Sequence, residues 1–219
     1  MTRLAVPWYV HPAESPEQWQ QLAALGDRLE FVVVNVADGP GAANDPYYPE
    51  ALAMLRAHGV RLIGYVDVDY GRRGVPRVAA DVRAWLELYA VDGIMYDQVA
   101  SGIEGLGHNR LLAGLARRAG MRTVVANPGV EPCAGLLDLF DVTCVFEDDA
   151  AAHARVESPG PGIAPEKRWH LVHGVPVGEL DTVAARAEEL GAGLVYVTDR
   201  PAPHPWDRLP LEQVQVERC

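Results

Sequence analysis

The chain reads as one (β/α)8 barrel, an α/β fold, and three observations predict it. Eight short apolar runs recur along the 219 residues, nearly every run is followed by a helix-patterned stretch, and each run ends at a polar or ionisable residue. Continuous apolar runs mark strands buried on both faces, which belong to parallel sheets. Eight such strands alternating with helices close into a barrel whose active site lies at the C-terminal strand ends. One domain over residues 1–219 is expected, with tight loops, because the chain is short for this fold.

The elements follow in order. The first run, Leu4–Val10, ends at His11. Ser15-Pro16-Glu17-Gln18 then opens a helix, with Ser15 as N-cap, Pro16 in the first turn and Gln18 at the capping-box position; Gly26 ends it. The second run, Phe31–Val36, carries Asn35 and leads into the turn Asp38-Gly39-Pro40-Gly41. A helix from Pro49 to His58 stops at Gly59. The third run, Arg61–Val68, is followed by a helix from Val75 to Tyr89 with a stripe of Val78, Val82, Trp85, Leu86 and Tyr89.

The fourth run, Gly93–Tyr96, ends in Asp97-Gln98, and its helix spans Asn109 to Ala119 before Gly120. The fifth, Thr123–Ala126, ends in Asn127-Pro128-Gly129. The sixth, Val142–Phe146, ends in Glu147; a weaker helix, Asp148 to Val156, precedes the clearest loop, Ser158-Pro159-Gly160-Pro161-Gly162. The seventh, Trp169–Val172, ends in His173, with a helix from Glu179 to Leu190 before Gly191. The eighth, Leu194–Val197, ends in Thr198-Asp199, and a segment with Pro201, Pro203 and Pro205 leads to a short final helix or turn.

Bulk properties narrow the function. A net charge of -11 argues against nucleic acid or an anionic membrane as partner. The expected partner is a small-molecule or oligosaccharide substrate, with a neutral or cationic one favoured if the acids cluster in the cleft. No run approaches the roughly 20 apolar residues of a membrane span, and no leader precedes Leu4, so a cytoplasmic protein is expected, with a mature secreted chain as the alternative. Cys133, Cys144 and Cys219 lack paired spacing and read as reduced thiols. No cofactor or metal is expected, and self-association goes no further than a weak homodimer. Gly39-Pro40-Gly41 lacks the Lys and Ser/Thr of a phosphate loop.

Asp97 and Glu147 each follow an apolar strand, two strands apart. A buried carboxylate is costly unless it is paired or used. Two on facing strand ends are the minimum equipment for cleaving a glycosidic bond, one as acid or acid/base and one as nucleophile or base. The alternative for each is an N-cap of the next helix. Tyr65, Asp67 and Asp69 occupy alternate positions and so are expected on one face, where with Tyr70 and Gly71 they form a polar, aromatic wall suited to a sugar. As metal ligands Asp67 and Asp69 need further oxygens. Asn35, Asp38, Asn127, His173 and Asp199 sit at other strand ends as substrate contacts or turn formers, and Tyr9 and His11 follow the first strand as contacts or packing residues. No Gly-x-Ser-x-Gly elbow surrounds Ser101 or Ser158, which excludes a serine hydrolase of that type.

Several segments in a shared order resemble the spherulin-4 family over nearly the whole chain. They are Val6-Pro7-Trp8-Tyr9-Val10-His11-Pro12, Val34-Asn35-Val36-Ala37-Asp38-Gly39-Pro40-Gly41, Gly64-Tyr65-Val66-Asp67-Val68-Asp69-Tyr70-Gly71, Gly93-Ile94-Met95-Tyr96-Asp97, Asn127-Pro128-Gly129, Phe146-Glu147, Val195-Tyr196-Val197-Thr198-Asp199 and Pro205-Trp206-Asp207-Arg208-Leu209-Pro210. The resemblance implies a (β/α)8 barrel and a glycoside hydrolase of the type acting on galactosamine-containing polysaccharide. It also implies Asp97 and Glu147 as catalytic acids. The family pattern has Glu where this chain has Gln98, which hydrogen-bonds but neither bears charge nor transfers a proton. Val36-Ala37 replaces a more polar turn, and no secretion signal is read. The expected function is therefore cleavage of an amino-sugar-containing glycoside or oligosaccharide. Tailoring of a small metabolite by general acid/base chemistry (cyclase, isomerase or lyase) and non-catalytic carbohydrate binding are the rivals.

Overall fold

In the computed structural model, which describes residues 2–158 and 164–210, eight strands pair in parallel and close in sequence order, β1 back onto β8. They are β1 (Arg3–Trp8), β2 (Leu29–Val34), β3 (Leu62–Asp67), β4 (Gly93–Asp97), β5 (Thr123–Asn127), β6 (Val142–Asp149), β7 (Arg168–His173) and β8 (Leu194–Val197). Around them run α1 (Pro16–Ala24), α2 (Tyr48–Ala57), α3 (Val75–Ala84), α4 (Leu106–Arg118), α5 (Ala134–Leu137), α6 (Ala150–Ala154) and α7 (Leu180–Glu189). The barrel expectation is met. Residues 159–162 of the predicted Pro-Gly loop, and residues 211–219 of the final segment with Cys219 among them, lie outside the described residues.

Local chemistry sets the helix ends with one correction. Pro16 stands in the first turn of α1, but the Ser15 side chain makes no capping bond; its backbone carbonyl accepts from Gln18 N–H instead. The Gln18 amide oxygen is spent elsewhere, accepting from Leu209 N–H at 3.3 Å. α3 continues through Trp85–Tyr89 as a wider π turn. This segment sets Trp85 flat on β3, where its indole N–H donates to the Tyr65 carbonyl at 2.8 Å. Gly64 makes room for it, since a Cβ there would meet the Trp85 ring at 2.5 Å.

Strand register fixes which side chains face the interior. Ile63, Gly93 and Thr123 are paired in one row, Tyr65, Met95 and Val125 in the next, and Asp67, Asp97 and Asn127 in the last. Phe31 of β2 meets Trp169 of β7 edge-on at 5.3 Å. Those strands are not neighbours, so both rings point inward and fill the barrel. With side chains alternating along each strand, the inward set ends at Tyr9, Asn35, Asp67, Asp97, Asn127 and His173. Apolar residues below and polar ones at the mouth are what a two-residue period on a buried strand requires.

β6 breaks the period. Cys144 pairs with Trp169, but Phe146 pairs with the next residue, His170, leaving Val145 as an extra residue. Strict alternation from Cys144 would turn Glu147 outward. The extra residue restores Glu147, opposite Leu171, to the inward face.

On the outer face, His153 of α6 and His170 of β7 touch, Nε2 to Nδ1 at 3.1 Å, with Phe146 packed on both rings. Burial, with the nearby His153 and Arg168 charges, pushes His170 down to about 3 from its ordinary 6.5. Burial and the Arg186 charge also lower His153. A base with a depressed folded pKa costs stability as pH falls below its unfolded value.

Two tests follow from this packing. Gly93→Ala drives a Cβ to 2.1 Å from the Thr123 carbonyl oxygen, and backbone cannot swing aside. Urea unfolding is expected to show a loss of about 3 kcal/mol; a loss under about 0.5 kcal/mol contradicts the interior register. For the histidines, the stability difference between wild type and His170→Gln is expected to fall by about 1.4 kcal/mol per pH unit from pH 6 to pH 4. A pH-independent difference removes the buried neutral pair.

Candidate active site

The inward polar row converges on two acids. Asp97 ends β4; its Oδ2 accepts from the Tyr65 hydroxyl at 2.9 Å and its Oδ1 from the Asn127 amide at 2.8 Å. The Gln98 backbone N–H also hydrogen-bonds this carboxylate. Glu147 Oε2 accepts from the same Asn127 nitrogen at 2.5 Å, and the Trp206 side chain hydrogen-bonds this carboxyl too. Asn127 is held in this orientation because its own oxygen accepts from Gly129 N–H at 2.9 Å. One carboxamide thus spans both acids.

Electrostatics then separates them. Burial, followed by the charge of Asp97, pushes Glu147 up to about 7 from 4.5. Burial raises Asp97 as well, but the Tyr65, Gln98 and Asn127 donors oppose it. Two carboxyls this close do not both ionise readily. Three donors favour the anion at Asp97, so Glu147 keeps the proton. Tyr9, edge-on to Tyr65 at 5.7 Å, and Tyr65 itself are held well above the usual phenol range by burial and then by Asp97, so both remain neutral donors. Neither acid caps a helix: Asp149 caps α6, accepting from Ala152 N–H at 2.7 Å.

Two lobes of a cleft open from the pair, sharing Glu147 and His173. One, of about 670 Å³, is lined by Tyr9, Asn35, Asp38, Tyr65 and the 202–207 segment. The other, of about 480 Å³, is lined by Tyr70, Asp97, Gln98 and the Asn127–Val130 turn. Both fall in the range of ligand pockets. Asn35 also shapes its turn, accepting from Gly39 N–H at 2.8 Å. Gln98 sits at φ 55, with its carbonyl accepting from Tyr70 N–H at 2.7 Å. A non-glycine residue held in the left-handed region marks a position the surroundings over-determine.

Three expected contacts are corrected. Asp69 does not share a face with Tyr65 and Asp67: β3 ends at Asp67, Asp69 turns at φ 45, and its carboxylate pairs with Arg72. His11 pairs with Asp45 at 3.1 Å and packs on Tyr47 and Tyr48, because the chain turns away once Tyr9 has taken the last inward place. Asp199 is an ion-pair partner of Arg208 rather than a lining residue. Asp67 shares the row with Asp97, but its Oδ1 is taken by Asp69 N–H at 2.8 Å. Sequence reading overlooked Trp206 as a site residue; a lone Trp inside a Pro-rich polar segment was the available signal. Among the described residues no group of three or more His, Cys, Asp or Glu is arranged to hold a metal, and no helix is long and apolar enough to cross a membrane.

The chain resembles known proteins over nearly its whole length. The model of the family described as spherulation-specific family 4 matches residues 3–216. Spherulin-4 of Physarum polycephalum is 27% identical over 210 residues, an alignment covering 90% of this chain but 63% of that one, so the chain spans less than two thirds of that relative. The crystal structure of Aspergillus clavatus Sph3 in complex with GalNAc superposes with a TM-score of 0.83 at 24% identity, covering 98% of this chain and 95% of that one. Deoxyribose phosphate aldolase from Aeropyrum pernix gives 0.57 at 13% identity, covering 90% and 85%. These likenesses in structure establish the barrel.

The site also makes a prediction about Cys144, a free thiol buried beside the acids. Burial, then the Glu147 charge, raises it well above the usual thiol range, so it carries little thiolate. Iodoacetamide labelling with peptide mass spectrometry is expected to leave Cys144 unmodified in the native protein and to modify it after denaturation. Native labelling would contradict the closed interior.

Proposed function

The chain belongs to spherulation-specific family 4, and from that premise we propose that it is a glycoside hydrolase cleaving an amino-sugar-containing glycoside or oligosaccharide, with Asp97 and Glu147 as its catalytic pair. The observation that carries this reading is the Asn127 amide bridging two carboxyls, 2.8 Å from Asp97 and 2.5 Å from Glu147. Paired acids with environments that push them apart are the equipment of acid-assisted glycoside cleavage.

Their roles follow from their surroundings. Glu147, protonated below about pH 7, gives its proton to the glycosidic oxygen as the bond from that oxygen to the anomeric carbon breaks. Asp97, the anion held by the Tyr65, Asn127 and Gln98 donors, attacks the anomeric carbon and forms a covalent glycosyl ester. Glu147 then takes a proton from water, and the hydroxide so formed displaces Asp97. Oxygens lying 2.8 and 2.5 Å from one nitrogen stand at most about 5.3 Å apart, their sum, which supports retention of configuration over the wider spacing of inverting enzymes.

Gln98 fits this scheme despite the family pattern of Glu. Its bond to Asp97 comes from the backbone N–H, which a Gln supplies as well as a Glu. Support for an amino sugar comes from the GalNAc bound in the Aspergillus clavatus relative. A protonated amine also suits a cleft that presents Asp38, Asp97 and Glu147. The polar lining of both lobes favours a sugar over an apolar metabolite.

Mass-spectrometric turnover of galactosamine and N-acetylgalactosamine oligosaccharides tests the reading. Asp97→Asn and Glu147→Gln are each expected to lower kcat by about 10²–10⁴-fold, while Gln98→Glu retains cleavage. Wild-type kcat/KM is expected to fall tenfold per pH unit above about pH 7. Full turnover by folded Asp97→Asn would end the proposal.

A further inference from the structure

The segment that follows β8 is built as a clasp. Asp199 and Arg200 leave the strand, and Asp207 and Arg208 return beside them. Arg208 pairs with Asp199 at 2.5 Å, while Arg200 grips Asp207 through Nε at 2.7 Å and Nη2 at 2.6 Å. The pairs nest, Asp199 with Arg208 at the base of the two legs and Arg200 with Asp207 one residue further along. Backbone ties reinforce them. The Tyr196 hydroxyl donates to the Arg208 carbonyl at 2.8 Å, and Tyr9 N–H donates to the Trp206 carbonyl at 3.1 Å.

Isolated surface ion pairs contribute little, but a bidentate Arg–carboxylate pair fixes geometry as well as charge. Pro201, Pro203 and Pro205 lower the entropy the loop loses on folding. What the clasp holds is Trp206, only 8% exposed. Its ring lies edge-on to His173 at 6.3 Å and against Tyr196 at 5.8 Å, and its side chain hydrogen-bonds Glu147. A surface loop with two nested ion pairs and three prolines is more than is needed to cover a barrel end. It is what a fixed donor requires.

We propose that Trp206 is a positioning residue for Glu147: the clasp holds its indole N–H against the Glu147 carboxyl, fixing how that carboxyl is oriented and how readily it releases its proton. This rests on the catalytic reading of Glu147, and the two are separable by experiment. Trp206→Phe keeps the ring packing and removes only the N–H. That bond lowers the Glu147 pKa, so its loss moves the titration up.

The test is the titration of the Glu147 side-chain carboxyl, read by carbon-13 NMR in wild type, Trp206→Phe and Asp207→Asn, beside the pH profile of glycoside cleavage. Trp206→Phe is expected to move the Glu147 titration, and the basic limb of kcat/KM, up by about one pH unit. It should lower kcat more than it alters KM. Asp207→Asn, which loosens the clasp but leaves the indole, is expected to move both in the same direction by less. A Glu147 titration unmoved in folded Trp206→Phe overturns the proposal even if the protein cleaves glycosides. If the titration moves but no glycoside is cleaved, Trp206 positions Glu147 as proposed and the hydrolase reading is what fails.

Discussion

The carboxamide of Asn127 is the constraint on which this site depends. Its nitrogen donates to Asp97 and to Glu147, and its oxygen is locked by Gly129 N–H, so the amide cannot turn over without losing all three bonds. The turn that supplies Gly129 also receives Glu147 N–H on the Gly129 carbonyl at 2.9 Å. β4, β5 and β6 are therefore joined at the mouth by side-chain and backbone bonds together. Bringing two buried carboxyls this close raises the free energy of the doubly ionised state. The barrel accommodates that cost by leaving one proton on Glu147.

The barrel below exists to hold this row. Large rings fill the lower interior, Phe31 against Trp169, and the row of Tyr65, Met95 and Val125 lies between Ile63, Gly93 and Thr123 and the polar mouth. The outer helices act through single contacts that reach the site. Trp85, at the start of the π turn, holds the Tyr65 carbonyl, and the Tyr65 hydroxyl holds Asp97. Gly64 matters to chemistry in this indirect way, because only a missing Cβ lets that indole lie so close.

Much of this was legible in the residues, for a physical reason. Strands buried on both faces read as apolar runs, and polar residues are tolerated on them only where the interior opens to solvent. Asn35, Asp67, Asp97, Asn127 and His173 are thus marked by position alone. The inward turn of Glu147 was not deducible, since it depends on the extra residue Val145 in the β6–β7 register. Asp69 was misjudged for the converse reason. Alternation was carried past Asp67, where the strand ends and the backbone turns left-handed. The short α5 and the side-chain cap absent at Ser15 were settled by tertiary packing. Trp206 escaped notice because its partners, β1, β7 and β8, converge only once the barrel has closed.

The central claim is that the acids share one proton that resides on Glu147. Infrared difference titration between pH 5 and pH 9 on wild type, Glu147→Gln and Asp97→Asn tests it most directly. The account predicts a protonated-carboxyl band that disappears near pH 7 in wild type, is absent from Glu147→Gln, and titrates at lower pH in Asp97→Asn once the neighbouring charge is gone. A band that persists unchanged in Glu147→Gln would place the proton elsewhere and contradict the assignment of both acids.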